Sequence, residues 1–412
     1  MEHLVPKFEL PFFTNLLILL VLAKVLGEIF ERFKQPAMIG EIIAGIILGP
    51  TLLNIIHRTQ EIKTISELGV FLLVIIAGLE IDIDDILKSF KGRNLIISLM
   101  AFFIPILSGL GIGYFFGYDI MTTVFIGLCI AITALPVSVR ILMDLGKINS
   151  DIGKRIISVA IFDDILALTI LGILLGIKDT DMGVSSIIKI ASISLMKLAL
   201  FISILVAVYY LINKIASREN FFESQLNNLL SFSKGKESLF AIFFVFILIF
   251  STITESLGFH FIIGAFFAAM LISSRLIGKQ HIETIQKTTN GLAMGFLAPI
   301  FFAGIGLEFN AQSISNYGLL IAVIFFSYFT KIAGGFFGGK IAGLSTAKSL
   351  TLGVGLNARG IMELVIANIA YKEGLINIEI FSILVIMGVL TTLTTPFLLK
   401  KSFAYYEKNK TT

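Results

Sequence analysis

From residue 12 onward the chain is a succession of apolar runs, most of them close to 20 residues long, joined by short polar connections. An α-helix rises 1.5 Å per residue, so ~20 residues cross the roughly 30 Å hydrocarbon core of a bilayer. No water reaches backbone N–H and C=O groups inside that core, and a helix satisfies them within its own segment. The chain is therefore read as an all-α polytopic membrane protein. Charged residues make up only 15% of it, against about 25% in soluble domains, and no stretch is polar enough to enclose a soluble unit. This excludes a soluble enzyme, a secreted disulfide scaffold and a DNA-binding protein. The formal net charge of +4 is too small to imply a nucleic-acid partner, so lipid is the expected surrounding. The single cysteine, Cys129, sits in an apolar run, reads as a buried small residue and has no internal disulfide partner.

About thirteen transmembrane helices are expected, centred on 12–30, 38–56, 68–81, 95–116, 121–143, 156–177, 187–212, 239–256, 259–274, 292–307, 317–344, 350–370 and 378–399. The first is not a cleaved signal peptide: it lacks a positive n-region and is followed by Glu28 and Glu31. Counting Lys and Arg in alternate connections gives twenty-two on one side and six on the other. Positive charge marks the cytoplasmic side, so the N-terminus is expected outside and the C-terminus in the cytoplasm.

The chain also repeats itself. Gly78-Leu79-Glu80 and Gly306-Leu307-Glu308 stand 228 residues and seven spans apart. An odd number of spans turns the second copy upside down, which is the inverted-repeat plan of secondary transporters.

A charge at bilayer depth costs ~2.5–3.5 kcal/mol on insertion scales, so each one asks for a reason. Asp163 and Asp164 lie roughly 12 Å inside the sixth span, about 100° apart around the helix. One carboxylate therefore faces an ion path and the other a neighbouring helix. Lys331 is midway along the eleventh span and cannot snorkel out. It must pair or give up its proton, which makes it a candidate proton carrier.

Two spans are interrupted: the fifth at Thr133-Ala-Leu-Pro136-Val-Ser138, the twelfth at Gly353-Val-Gly355-Leu-Asn357-Ala-Arg359-Gly360. Paired broken helices at corresponding places in two halves are the best sequence pointer to a transport site. Their half-helix ends would meet at the midplane, carboxylates compensating the positive ends and a lysine the negative ones. Thr133, Ser138, Thr391 and Thr392 are read as neutral oxygens for a dehydrated alkali cation. Glu363, four residues past Arg359, is expected to pair with it or with another helix. Glu41 and Glu80 are expected at the membrane interface, and loop 213–238 as a cytoplasmic linker between halves. No Walker or Rossmann glycine pattern occurs, so neither an enzyme nor a cofactor is expected.

The run from Gln35-Pro-Ala-Met-Ile-Gly through Leu48-Gly-Pro50 resembles the opening signature of the monovalent cation:proton antiporter-2 family, its NapA-like and Kef-like branch. Glu67-Leu-Gly-Val-Phe-Leu-Leu with Ala77-Gly-Leu-Glu80 is similar to that family's next block. Phe162-Asp163-Asp164 and Asn357-Ala-Arg-Gly360 fall where it carries its paired acids and its second broken helix. The resemblance implies an NhaA/NapA-like fold and a homodimer built of a stationary scaffold and a moving core. Scaffold would be 1–94 and 239–316, core 95–186 and 317–400, with 187–238 a linker helix and loop and 401–412 a short cytoplasmic tail. Two aspartates with a lysine on the matching helix imply electrogenic exchange of Na⁺ or Li⁺ for H⁺. Asp164 would be the principal ion and proton carboxylate, Asp163 its partner and the counter-ion of Lys331. Kef-type relatives, K⁺/H⁺ antiporters or gated K⁺ efflux channels, are the alternative. They carry Gln before the Asp and a nucleotide-binding domain after the last span, neither of which is read here. An organic-anion symporter on the same frame would want more cationic groups than one lysine and one arginine.

Overall fold

The computed structural model describes residues 11–57, 59–79, 92–177, 184–216, 237–257, 259–272 and 279–408. Glu80 of the repeat motif, residues 217–236 of the expected linker, and charges of the orientation count such as Lys7, Arg58 and Lys178 lie outside them.

The described chain is helical throughout. In order the helices are α1 (Phe12–Arg32), α2 (Ala37–Leu48), α3 (Gln60–Leu79), α4 (Gly92–Phe115), α5 (Ile120–Ala131), α6 (Leu135–Asp144), α7 (Asp151–Ile177) and α8 (Val184–Ala216). There follow α9 (Glu237–Ser256), α10 (Phe261–Leu271), α11 (Lys279–Leu292), a π turn (Ala293–Leu297), α12 (Ala298–Glu308), α13 (Tyr317–Ile341), α14 (Thr346–Gly355), α15 (Ile361–Lys372) and α16 (Ile378–Lys408). Among the described residues, eight helical segments are long and apolar enough to cross a bilayer alone. With these the chain is a multi-pass membrane protein.

Helix starts follow local chemistry. Asp119 caps α5 by accepting from the Thr122 amide at 3.0 Å and its hydroxyl at 2.6 Å, while Asn316 accepts from the Leu319 amide ahead of α13. Several helices outrun their apolar centres. The third begins at Gln60 rather than near 68, and the last continues to Lys408 rather than stopping near 399. Hydropathy sees the lipid-embedded part and misses the polar turns that project beyond it. Glu41, expected at the interface, is instead 4% exposed within α2, covered by α1 around Gly27.

Two sets of helices pack tightly within themselves. In the first, α1 lies on α2, α2 on α12, and both α12 and α10 on α3, with α9 against α10. In the second, α13 lies along α4, α4 on α5, and α14 between α13 and α16, with α7 against α4, α6 and α14. α8 touches α7 of one set and α10 of the other. Small residues set the closest approaches: a Cβ on Gly335 would come within 2.5 Å of the Gly353 Cα, so α13 and α14 touch backbone to backbone.

Candidate ion-binding site

The second set is built around two interruptions. Residues 132–134 separate α5 from α6, and residues 356–360 separate α14 from α15. The breaks interlock: the Ala134 amide donates to the Ala358 carbonyl at 2.8 Å, and the Thr133 hydroxyl to the Leu356 carbonyl at 3.1 Å. Gly360 is needed where they meet, because a Cβ there would press on Val137 at 2.8 Å and Ala134 at 3.1 Å.

A helix that stops in a membrane leaves its last four carbonyls without partners, and no water is there to take them. For α5 and the residue after it these are Cys129, Ile130, Ala131 and Ile132. Pro136 lies in the first turn of α6 and has no N–H with which to reach back to the Ile132 carbonyl. Arg359 fills the gap, donating to the Cys129, Ile130 and Ile132 carbonyls, the last at 3.1 Å. Lys331 takes the fourth, Ala131. Both cations therefore sit on the negative end of α5.

Lys331 makes two more bonds, to the Ala101 carbonyl of α4 at 3.1 Å and to Asp163 Oδ2 of α7 at 2.8 Å. Neither side chain of this ion pair has any exposed surface. The other oxygen of Asp163, Oδ1, has no hydrogen-bond partner among the described residues. Asp164 is equally buried one residue along, near enough to Lys331 for its charge to act there. The positive ends of α6 and α15 carry no side-chain cap. Two carboxylates, one lysine and two uncapped helix starts thus converge on one enclosed place.

The other expected residues divide. Ser138 and Asn357 are buried at the breaks, and the Ser138 hydroxyl and Asn357 Oδ1 accept no hydrogen bond from any described residue. Asn357 uses its amide to reach the Gly353 carbonyl at 3.4 Å. Thr133 is spent as a donor between the breaks, although its oxygen keeps lone pairs beside Asp163. Thr391 bonds back to Met387 on its own helix at 2.8 Å, the ordinary fate of a hydroxyl in a membrane helix. Thr392 donates to the Arg359 carbonyl at 2.7 Å and so holds the second break. Of the two partners expected for Glu363, Arg359 or another helix, Arg359 makes no ion pair with it, although the two charges act on each other. α15 begins only at Ile361, so Arg359 is not on its face, and its guanidinium is spent on α5. Glu363 is buried beside Gly388, neither oxygen hydrogen-bonded to a described residue. Sequence reasoning ranked Arg359 as an accessory. A basic residue inside the break itself was the signal that it caps the opposite helix.

Residues 17–401 match the family model described as the transmembrane sodium/hydrogen exchanger. The chain belongs to that family. It is 29% identical to the Na⁺/H⁺-K⁺ antiporter GerN of Bacillus cereus, covering 97% of this chain and 98% of GerN. To the probable Na⁺/H⁺ antiporter GerT of the same organism it is 30% identical, over 95% of this chain and 99% of GerT. Its fold is similar to that of the sodium proton antiporter MjNhaP1 of Methanocaldococcus jannaschii, with a TM-score of 0.68 at 16% identity, covering 94% of this chain and 96% of that one. The relatives it matches are ion transporters, the class that the resemblance in its sequence implied.

Proposed function

We propose that the chain is a secondary antiporter exchanging Na⁺ for H⁺ at Asp163 and Asp164. The observation that carries the reading is the enclosed Lys331–Asp163 ion pair at the crossing of the two breaks. A protonated carboxylate cannot hold a cation, and a bound cation expels the proton. Competition for the same oxygens then couples the two fluxes, provided the empty charged site crosses poorly. Asp164 is the principal carboxylate. Asp163 pairs with Lys331 until the cation arrives, with Asp163 Oδ1, Asn357 Oδ1, Ser138 and Thr133 as further oxygens in reach of the site. Arg359 keeps the break in α5–α6 capped throughout, which leaves Lys331 able to let go of Asp163. Two acids and one lysine permit two protons per cation, so exchange is electrogenic.

In this reading the two helix sets are a scaffold and a core that rocks against it, giving alternating access. The thirteen crossings form inverted repeats, the N-terminus lies outside, and two copies make a homodimer. Because GerN is named a Na⁺/H⁺-K⁺ antiporter, a K⁺/H⁺ exchanger is the second reading, and Li⁺ is a further candidate cargo.

The test is cation exchange in proteoliposomes under an imposed proton gradient, with Na⁺, Li⁺ and K⁺ in turn. Asp164→Asn is expected to reduce exchange to the level of empty vesicles. Retained gradient-driven exchange in that variant would remove the central carboxylate from the mechanism. Downhill conductance without proton movement in the parent chain would replace the antiporter by a channel.

A further inference from the structure

The two helix sets meet differently at their two ends. At one end a cavity of about 450 Å³ separates them. Glu31, Lys34 and Gln35 of the α1–α2 turn face it on one side, and Leu145, Phe397 and Lys400 of α6 and α16 on the other. At the opposite end the sets are joined by side-chain bonds. Lys372 Nζ at the end of α15 donates to Glu67 Oε1 of α3 at 2.9 Å. One turn nearer the breaks, Asn368 Nδ2 donates to Glu308 Oε2, the last residue of α12, at 2.9 Å. The Ser382 hydroxyl of α16 accepts from the Asn310 amide at 3.2 Å. On α16, Ser382 and the cavity-lining Phe397 and Lys400 are 15 and 18 residues apart, or roughly 22–27 Å at 1.5 Å per residue.

We propose that Lys372–Glu67 and Asn368–Glu308 form a two-rung polar gate that closes this end and must open once in every transport cycle. The proposal rests on the alternating-access reading above. Leu364, Asn368 and Lys372 follow one another at four-residue intervals on α15, each about 40° further round, and so form one slowly winding stripe. That stripe climbs from the turn beyond the second break to the gate, which lies about 18 Å of helical rise from Gly360. Parting the sets at this end opens a route along it to the site.

The chemistry of the rungs suits repeated opening. The outer pair is partly solvated, with the Lys372 side chain 22% and the Glu67 side chain 54% exposed, so water replaces its bonds at small cost. His260 and Glu373 stand beside it and add no apolar seal. The inner rung is more enclosed, Asn368 being 2% exposed, and it gives the closed state its register through a directional amide–carboxylate bond.

Leu364 supplies the test. It lies one turn below Asn368 on the same stripe and is 1% exposed. The variant Leu364→Cys is placed in membrane vesicles of both orientations and treated with a membrane-impermeant maleimide, the parent chain giving the background from buried Cys129. Adding Glu67→Gln and Lys372→Gln is expected to speed labelling from the gate side at least tenfold. Equal labelling rates in the two backgrounds overturn the gate, whatever the transport result. In a second arm, Glu67→Cys with Lys372→Cys is bridged by a reducible bis-methanethiosulfonate spacer. Cation exchange is expected to stop on bridging and return on reduction, and exchange that continues through the bridge equally overturns the gate. Absence of exchange before bridging strikes the antiporter reading instead, and the labelling arm then still decides the gate.

Discussion

Neutralising one partner of the Lys331–Asp163 pair is the sharpest probe of how the site is held. At 2.8 Å and an effective dielectric near 20, two unit charges attract by ~6 kcal/mol. Desolvating each ion takes back several kcal/mol, so the intact pair nets little. Breaking it is another matter, because the survivor keeps its charge with no surface exposed. Asp163→Asn or Lys331→Gln is therefore expected to cost ~3–5 kcal/mol, whereas the double substitution costs less than either alone. The measurement is a double-mutant cycle on reversible unfolding in mixed detergent micelles. The two singles also separate by pH. The Asp163→Asn defect shrinks as pH rises, since a neutral amine needs no counter-charge. The Lys331→Gln defect shrinks as pH falls, since a protonated carboxyl needs none. Additivity of the singles to within ~0.5 kcal/mol would refute the reasoning. Lys331 would then be held by the Ala101 and Ala131 carbonyls rather than by Asp163.

Other substitutions follow from the same geometry. Arg359→Met strips three carbonyls of their donor and is expected to lower thermal stability in detergent further than Arg359→Lys, which keeps a charge but loses the fork; equal losses would mean the capping is merely electrostatic. Gly335→Ala drives a methyl into the Gly353 backbone and is expected to cost ~1–3 kcal/mol by overpacking, read as a lower unfolding midpoint. Lys147→Ala removes an ion pair to Glu407 whose side chains are 32% and 53% exposed. It is expected to change stability by less than ~1 kcal/mol, and a larger loss would mark that end of α16 as a structural joint.

Much of this arrangement was legible in the residues because the bilayer makes polarity costly. Asp163, Asp164 and Lys331 declared themselves by depth alone, and Pro136 and the glycines around Asn357 declared the breaks. What was not legible depended on direction. Hydropathy carries no information on where a guanidinium points, so Arg359 was grouped by spacing with Glu363 although it reaches across to α5. Glu41 shows the same limit: its position near a span end suggested water, but the α1–α2 contact covers it. Polar residues close to the membrane ends, Glu67, Asn368 and Lys372 among them, are unremarkable in sequence because such positions ordinarily face solvent. Only their pairing between helices distant in the chain gives them meaning.

The two breaks are held by different chemistry, and the difference follows from the acids. The last carbonyls of α5 receive two full positive charges. Among the described residues, every donor to the carbonyls of the second break is neutral: the Ala134 amide reaches Ala358, and Thr133 and Thr392 donate hydroxyls, while the Leu356 and Asn357 amides and the Asn357 side chain turn back on α14. A symmetric design would have placed cations at both. The paired acids have no counterpart in the second half, whose last span reads Thr391-Thr392 where the sixth has them, although Glu363 is buried at the start of α15. Lys331 and Arg359 cap α5 with charges that also act on Asp163. In the antiporter reading, the part of the chain that holds the paired acids thus draws its counter-charges, Lys331 and Arg359, from a part 168–230 residues further on, so the site exists only where the two breaks cross.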